Sequence, residues 1–514
     1  MGKLKFILVS KFFYLITVFF ILALGFGFPI FIESSLEAKE ISRQMKKEYV
    51  FTYSEIKPFI NFNVPSKYKK LWNDVIRAKK QNKSMKQIIT MTKRRHGVGE
   101  KDLEPILKEM GIPDRLIDYA RDLMYNLKPR LTLVIKGAVT PPKGTPQYDD
   151  AIEAVLPAMY KTIEPYNDKL KFKIIVYPGG VMGDEPDFIR KIKLGEIQWA
   201  GGTIVMGEMV CPALSAFDLP FLFDYEPKEY YDDLSYCQID WIFGKASPSI
   251  NKMLEKNGFI LVGLLDGGGY ESIITSKIPV SRVSDLAKHT FFVFPQARIA
   301  GEINKAFGFK KTLVCKIWDM PSLAATGMLD SAICCWYWHV IIQGTPYYKY
   351  VTDYPLRGFM SAIVLAQKEM FNGLIGLCEK FGPLIGLERK DALRLARELL
   401  TVMNKSIKEV MRRNMRIKES DARRMLLNKG IFKMVKFKEK ELEKLKAKIL
   451  PLYTKLADPE RTYPKWFLDD LLKYREEYRK YKKEGKLTSR WYKKGLYPDG
   501  YDEWKWTKTW GKID

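Results

Sequence analysis

Histidine is almost missing from this 514-residue chain: His96, His289 and His339 are all it has. Cysteine is scarce too, and Cys211, Cys237, Cys315, Cys334, Cys335 and Cys378 form no Cys-x-x-Cys pair. A zinc site of the usual Cys/His kind lacks material at ligand spacing, so no metal and no cofactor are expected. The adjacent Cys334 and Cys335 suit small apolar packing better than a strained vicinal disulfide. Also absent are G-x-S-x-G, H-E-x-x-H and a Walker lysine behind a glycine loop. Gly179, Gly180 and Gly183 imitate a phosphate loop, but the loop runs into Asp184, an acidic helix cap that would repel an anion. Gly267, Gly268 and Gly269 follow a strand without the rest of a dinucleotide fingerprint. Asp232/Asp233 and Asp469/Asp470 are adjacent pairs that read as solvated, not as an acid/base couple. No catalytic residue is assigned, and the chain is read as a non-enzyme.

Acidic residues are in short supply: 60 Asp and Glu face 86 Lys and Arg, a formal charge of +26. The basic residues are spread along the chain and no nucleic-acid motif accompanies them, so no nucleic-acid partner is expected. A solvated basic surface drawn to anionic lipid headgroups or acidic polymers fits better. With 46% hydrophobic and 13% aromatic residues, the chain can bury a sizeable core in more than one domain.

The uncharged run over residues 12–32 is long enough to cross a membrane, which takes roughly 20 residues of helix. Lys3, Lys5 and Lys11 precede it and predict the N-terminus inside, the remainder outside. Residues 1–38 are therefore expected to be an uncleaved anchor, with a signal cut near Ala38 as the alternative.

Residues 39–128 read as helical. Ser84 and Gln87 make a capping box and Gly97 a helix stop; Ile112-Pro113 opens another helix. The texture changes at Leu131. Strands are predicted over 131–135, 172–177 and 197–200, with a helix around 149–160 between the first two. A further helix is capped by Asp184, carries Pro186 in its first turn and ends before Gly195. More strands are predicted over 259–265, 291–294 and 331–340, which points to βαβ units and a largely parallel sheet. From about Lys368 the pattern is mainly helical. Residues 456–514 form a basic extension with Trp491, Trp504, Trp506 and Trp510.

The stretch 177–223 is the most specific. It contains Tyr177-Pro178-Gly179-Gly180, then Gly183-Asp184-Glu185, Leu194-Gly195-Glu196-Ile197, and Pro212 running into Asp218-Leu219-Pro220-Phe221-Leu222-Phe223. Pro279-Val280, Ser284-Asp285-Leu286 and Thr326 to Asp330 follow in order. Together these blocks resemble the substrate-binding subunits of TRAP transporters, the dicarboxylate-binding, DctP-like family. The resemblance implies an α/β, two-lobed periplasmic solute-binding fold over 129–455, with a second lobe at roughly 270–345. It also implies a small-molecule solute held between the lobes and membrane permease subunits as partners.

Where the family places a carboxylate-clamping arginine, the aligned residue here is Phe292. A second family arginine aligns with Glu271, and an asparagine with Cys334. A bare carboxylate would lose its partners and meet a like charge. The candidate ligand-binding set is Thr140, Thr203, Tyr270, Glu271, Phe292, Trp318, Asp319, Cys334 and Trp336, with Phe294 and Trp338 as further aromatic lining. Residues 334, 336 and 338 are expected on one face of a strand. The expected ligand is apolar, aromatic or cationic, with Glu271 or Asp319 meeting a positive group; the competing expectation makes these rings plain core. Arg298, on the following helix, is a poor substitute for the missing clamp. A second function class also stands: the fold kept as a scaffold, its terminal extensions binding other proteins or a second copy of this chain.

Overall fold

The computed structural model describes residues 48–487, apart from 61–63, 82, 125–129, 167–169, 371 and 373–388. The apolar run 12–32 and the Trp-rich tail lie outside the described residues. Among the described residues no helix is long and apolar enough to cross a membrane.

Among the described residues eleven strands form one continuous sheet system. In chain order they are Glu48–Thr52 (β1), Arg130–Val139 (β2), Leu170–Tyr177 (β3), Trp199–Thr203 (β4), Phe259–Thr275 (β5), Thr290–Val293 (β6), Lys311–Val314 (β7), Ser331–Cys334 (β8), Tyr350–Thr352 (β9), Gly358–Gln367 (β10) and Lys433–Val435 (β11). β3 shows why they form: Leu170, Phe172, Ile174 and Val176 point inward while Lys171 and Lys173 point out. In the first lobe β3 lies parallel along one edge of β2. The other edge is shared, β1 pairing with residues 130–134 and β4 with 137–139. β4 then meets β10 antiparallel, and β10 meets β5 antiparallel. The second lobe is built on the far end of β5, where residues 272–275 pair with β8 and the order continues through β6 and β7.

Several expectations are met. Ser84 caps Met85–His96 (α1): its Oγ accepts from Gln87 N–H, and Gln87 Oε1 accepts from Ser84 N–H at 2.8 Å. Asp184 caps Glu185–Leu194 (α2), which ends at Gly195 with φ 78°. Others need correction. The sheet is mixed, not largely parallel, because β10 runs against both its neighbours. The N-terminal segment is not all helix, since β1 extends the first sheet. The C-terminal part also holds β11, paired with β9. β5 runs ten residues past its predicted end at Leu265, to Thr275.

The predicted strand 331–340 breaks at Cys334, and Trp336–Ile341 is a helix. Its reason is a carboxylate: Glu419 accepts from the N–H groups of Trp336 (2.9 Å) and Tyr337 (3.0 Å), donors that a helix start leaves unpaired. Residues 334, 336 and 338 therefore do not share one strand face.

Gly267 and Gly268 fall out of register where β5 passes Met360 and Ser361. A Cβ on Gly268 would sit 2.7 Å from the Cys335 side chain and 2.9 Å from Trp338. The triple glycine is a packing device. Behind β5, Gln238–Lys256 (α3) and Arg412–Asn428 (α4) enclose a buried charge cluster. Arg416 meets Asp266 at 2.6 Å and Asp240 at 2.9 Å, and Arg412 meets Asp240 at 3.2 Å. Burial works against ionised Asp240, but Arg416 and Arg412 together hold its carboxyl below the usual range. Lys465–Lys483 (α5) docks on α3 and on residues 221–229. Arg475 donates to the carbonyls of Phe221 (3.1 Å) and Leu222 (3.3 Å), and Lys482 bridges Glu226 (2.5 Å) and Glu229 (2.6 Å).

Candidate functional site

The turn between β3 and α2 needs glycine: Gly183 has φ 99°, which a residue with a Cβ rarely adopts. This turn aims residues 184–187 at two segments of the second lobe, 294–296 after β6 and 316–318 after β7. The space enclosed is about 410 Å³. Across its mouth Lys316 Nζ meets Asp184 at 2.7 Å, tying one lobe to the other. The lysine holds the Asp184 carboxyl below its ordinary range. On the floor, Thr203 at the end of β4 donates to Glu185 through its N–H (2.6 Å) and its hydroxyl (2.9 Å). Thr140, just past β2, reaches the same carboxyl at 3.5 Å. Burial pushes Glu185 up to about 7 despite these donors.

A small chamber of about 40 Å³ adjoins the cleft beyond Thr203, Val205 and Phe294. Phe292, buried on β6, forms one wall and packs edge-on against Phe294 at 4.7 Å. Asp218, Glu271 and Arg357 are the charged residues of its lining. Burial pushes Glu271 up to about 8, with Arg357 pulling the other way, and raises Asp218 to about 6. Arg357 is only 7% exposed, its guanidinium lying over the rings of Phe291 (5.4 Å) and Phe307 (5.3 Å). Its Nε and Nη1 have no hydrogen-bond partner among the described residues. Sequence reasoning missed this residue. The available signal was that Arg357 is the sole charge between Tyr354 and Gln367, beside an apolar strand.

A second chamber, about 70 Å³ and almost wholly apolar, opens off the cleft at Thr140, Thr203 and Ile317. Its walls come from β2, β4 and β10, from the helical segment 147–159, and from Met403, Ile407, Met411 and Trp338.

The structure brings Thr140, Thr203 and Trp318 to the cleft, and Phe292 and Glu271 to the small chamber. Trp318 is 41% exposed at the mouth, edge-on to Trp338 at 6.0 Å. Tyr270 goes elsewhere: it is buried among Tyr225, Tyr230 and Phe359, and its hydroxyl donates to the Asp224 carbonyl at 2.7 Å. Trp336 packs on Phe432, away from all three spaces. Asp319 is exposed beside the mouth and lines none of them. Cys334 pairs through its backbone with Ser272, next to Glu271; its side chain lies outside the description. Arg298 is spent on other partners, the carbonyls of Glu208 (3.0 Å) and Arg461 (2.8 Å).

This arrangement, two lobes on a shared strand with a solvent-sized gap between them, is the two-lobed periplasmic solute-binding fold. Residues 142–314 match the DctP family, described as bacterial extracellular solute-binding protein, family 7. The sugar acid binding protein DctPAm of Advenella mimigardefordensis, solved with galactonate, is similar with TM-score 0.53 at 17% identity; 67% of this chain and 98% of that one are covered. A TRAP periplasmic solute-binding protein of Ochrobactrum anthropi, its C-terminus bound in the ligand-binding pocket, gives TM-score 0.53 at 17% identity over 70% and 99%. The periplasmic ectoine-binding protein of the TeaABC TRAP transporter of Halomonas elongata gives 0.51 at 15% over 67% and 99%. No curated protein matches the chain. The chain thus resembles the solute-binding subunits of TRAP transporters in fold and in its family match, and it extends beyond them.

Proposed function

We propose that this protein is the extracytoplasmic solute-binding component of a TRAP-type transport system. It captures a small molecule between its lobes, performs no chemistry on it, and delivers it to membrane permease subunits. The observation that carries the reading is the cleft of about 410 Å³ bridged by Lys316 and Asp184. The family match over residues 142–314 supports it. The protein works on the periplasmic side, held to the inner membrane by residues 12–32 or released after cleavage near Ala38.

The ligand is not a simple dicarboxylate. Arg357 is the one cation lining the small chamber among the described residues, beside Asp218 and Glu271, so a second carboxylate on the solute finds no cationic partner there. A solute with at most one anionic group and a sizeable apolar or aromatic part suits Thr140, Thr203, Glu271, Phe292, Trp318 and Arg357 together. A thermal-shift screen of the full chain with succinate, galactonate, aromatic acids, amines and apolar solutes tests this. Strong stabilisation by succinate that persists in Phe292→Ala would sink the ligand class. No shift with any class, and no co-purified small molecule by native mass spectrometry, would sink solute capture itself.

One observation favours a second reading, the fold as scaffold. α5 fixes itself by several ion pairs to residues 221–229, a tie that solute binding does not require. A stable homo-oligomer that dissociates when residues 456–514 are removed would support that alternative.

A further inference from the structure

The apolar chamber shares Thr140, Thr203 and Ile317 with the cleft, so one molecule can lie in both. We infer that the chamber receives a short alkyl or aryl group of the captured solute while the solute's polar part remains in the cleft. This inference rests on the solute-binding reading above. At about 70 Å³ the chamber is roughly half the 150 Å³ or so that holds a benzene ring, so a group of a few carbons enters without rearrangement. Four of its wall residues are Met159, Met360, Met403 and Met411, from separate elements. Unbranched thioether chains re-pack at low cost and admit somewhat larger groups.

One feature marks a built site and not a packing flaw. Ile317 closes the chamber from the second lobe, so its roof is complete only when the lobes meet.

The test uses the full chain and straight-chain alcohols from propanol to octanol, with succinate and galactonate as polar controls, read by calorimetric titration. Each added methylene should tighten binding about fourfold until the chamber is full. Ala362→Leu, which fills the chamber, should abolish the series. Met403→Ala, which enlarges it, should extend the series to longer chains, and it decides the matter alone if Ala362→Leu misfolds. Affinity independent of chain length, or unchanged in both variants, overturns the inference. If a polar control still binds in that case, solute capture stands while the apolar subsite falls; if nothing of either kind binds, both fall.

Discussion

The backbone N–H of Arg357 donates to the carbonyl of Glu271 at 3.1 Å, and both residues line one chamber, Glu271 from β5 and Arg357 from just before β10. The guanidinium rests on two phenyl rings with unspent N–H groups, and the carboxyl beside it is pushed up to about 8 by burial. The chamber thus sets one cation beside an acid whose burial favours its protonated form.

The raised carboxyl has a pH signature. Glu271 holds its proton in the folded state well above the range where it loses it unfolded, so its stabilising contribution is complete below about pH 4.5 and is lost as pH rises through about 8. Asp218 and Glu185, raised to about 6 and about 7, act in the same direction. Buried His339, lowered to about 4, opposes them. Comparing the full chain with Glu271→Gln isolates one term: the melting temperature of the variant should gain on the parent as pH rises from about 5 to about 8. Parallel curves for the two proteins would contradict this.

Removing the cation should change binding selectively. Arg357→Met should weaken any bound solute that has an anionic or carbonyl group by a factor of roughly ten to a hundred, the usual worth of a charge-assisted hydrogen bond. Alcohols in the apolar chamber should bind as before, since that space lies on the other side of Thr203. Titration of both ligand kinds against the variant checks the contrast.

Ion pairs of similar length should differ widely in worth. Arg416 with Asp240 and Asp266 is almost fully buried, and Arg416→Met should cost about 3–5 kcal/mol in chemical denaturation because buried Asp266 loses its ion-pair partner and Asp240 keeps only Arg412. Lys316–Asp184 is 58% and 40% exposed, and Lys316→Ala should cost under about 1 kcal/mol. Its effect belongs to the lobes: X-ray scattering without ligand should register a more open average shape.

α5 also makes a local prediction. Phe221 sits at φ 67°, unusual for a residue with a side chain, and Arg475 binds its carbonyl. Arg475→Ala should speed proteolytic cutting within residues 221–229 without moving the global melting point much, as mass spectrometry of the fragments would register.

Much of the fold was legible because its signals are local. The capping pairs at Ser84 and Asp184, the alternation of β3 and the glycine turn at 179–183 each declare themselves within a few residues. What escaped was set at a distance. β1 became a strand because β2 offered it half an edge, and Trp336 began a helix because Glu419, far along the chain, received its N–H. In the site, Phe292 stood out through its alignment with a family arginine, whereas Arg357 drew no notice because its setting comes from Glu271 and Asp218, which only folding brings near. Tyr270 shows the reverse: itself a candidate ligand-binding residue, yet turned by strand alternation into a cluster of rings.

β5 belongs to both halves of the molecule without interruption. A loop between two bodies lets them swing freely; a strand must be wrung like a ribbon. The compliant point is where Gly267 and Gly268 slip past β10, and there the Gly267 carbonyl accepts the Trp338 indole N–H. Any wringing of β5 therefore drags Trp338, and with it one wall of the apolar chamber. The angle between the lobes and the contour of that recess are, in effect, one coordinate.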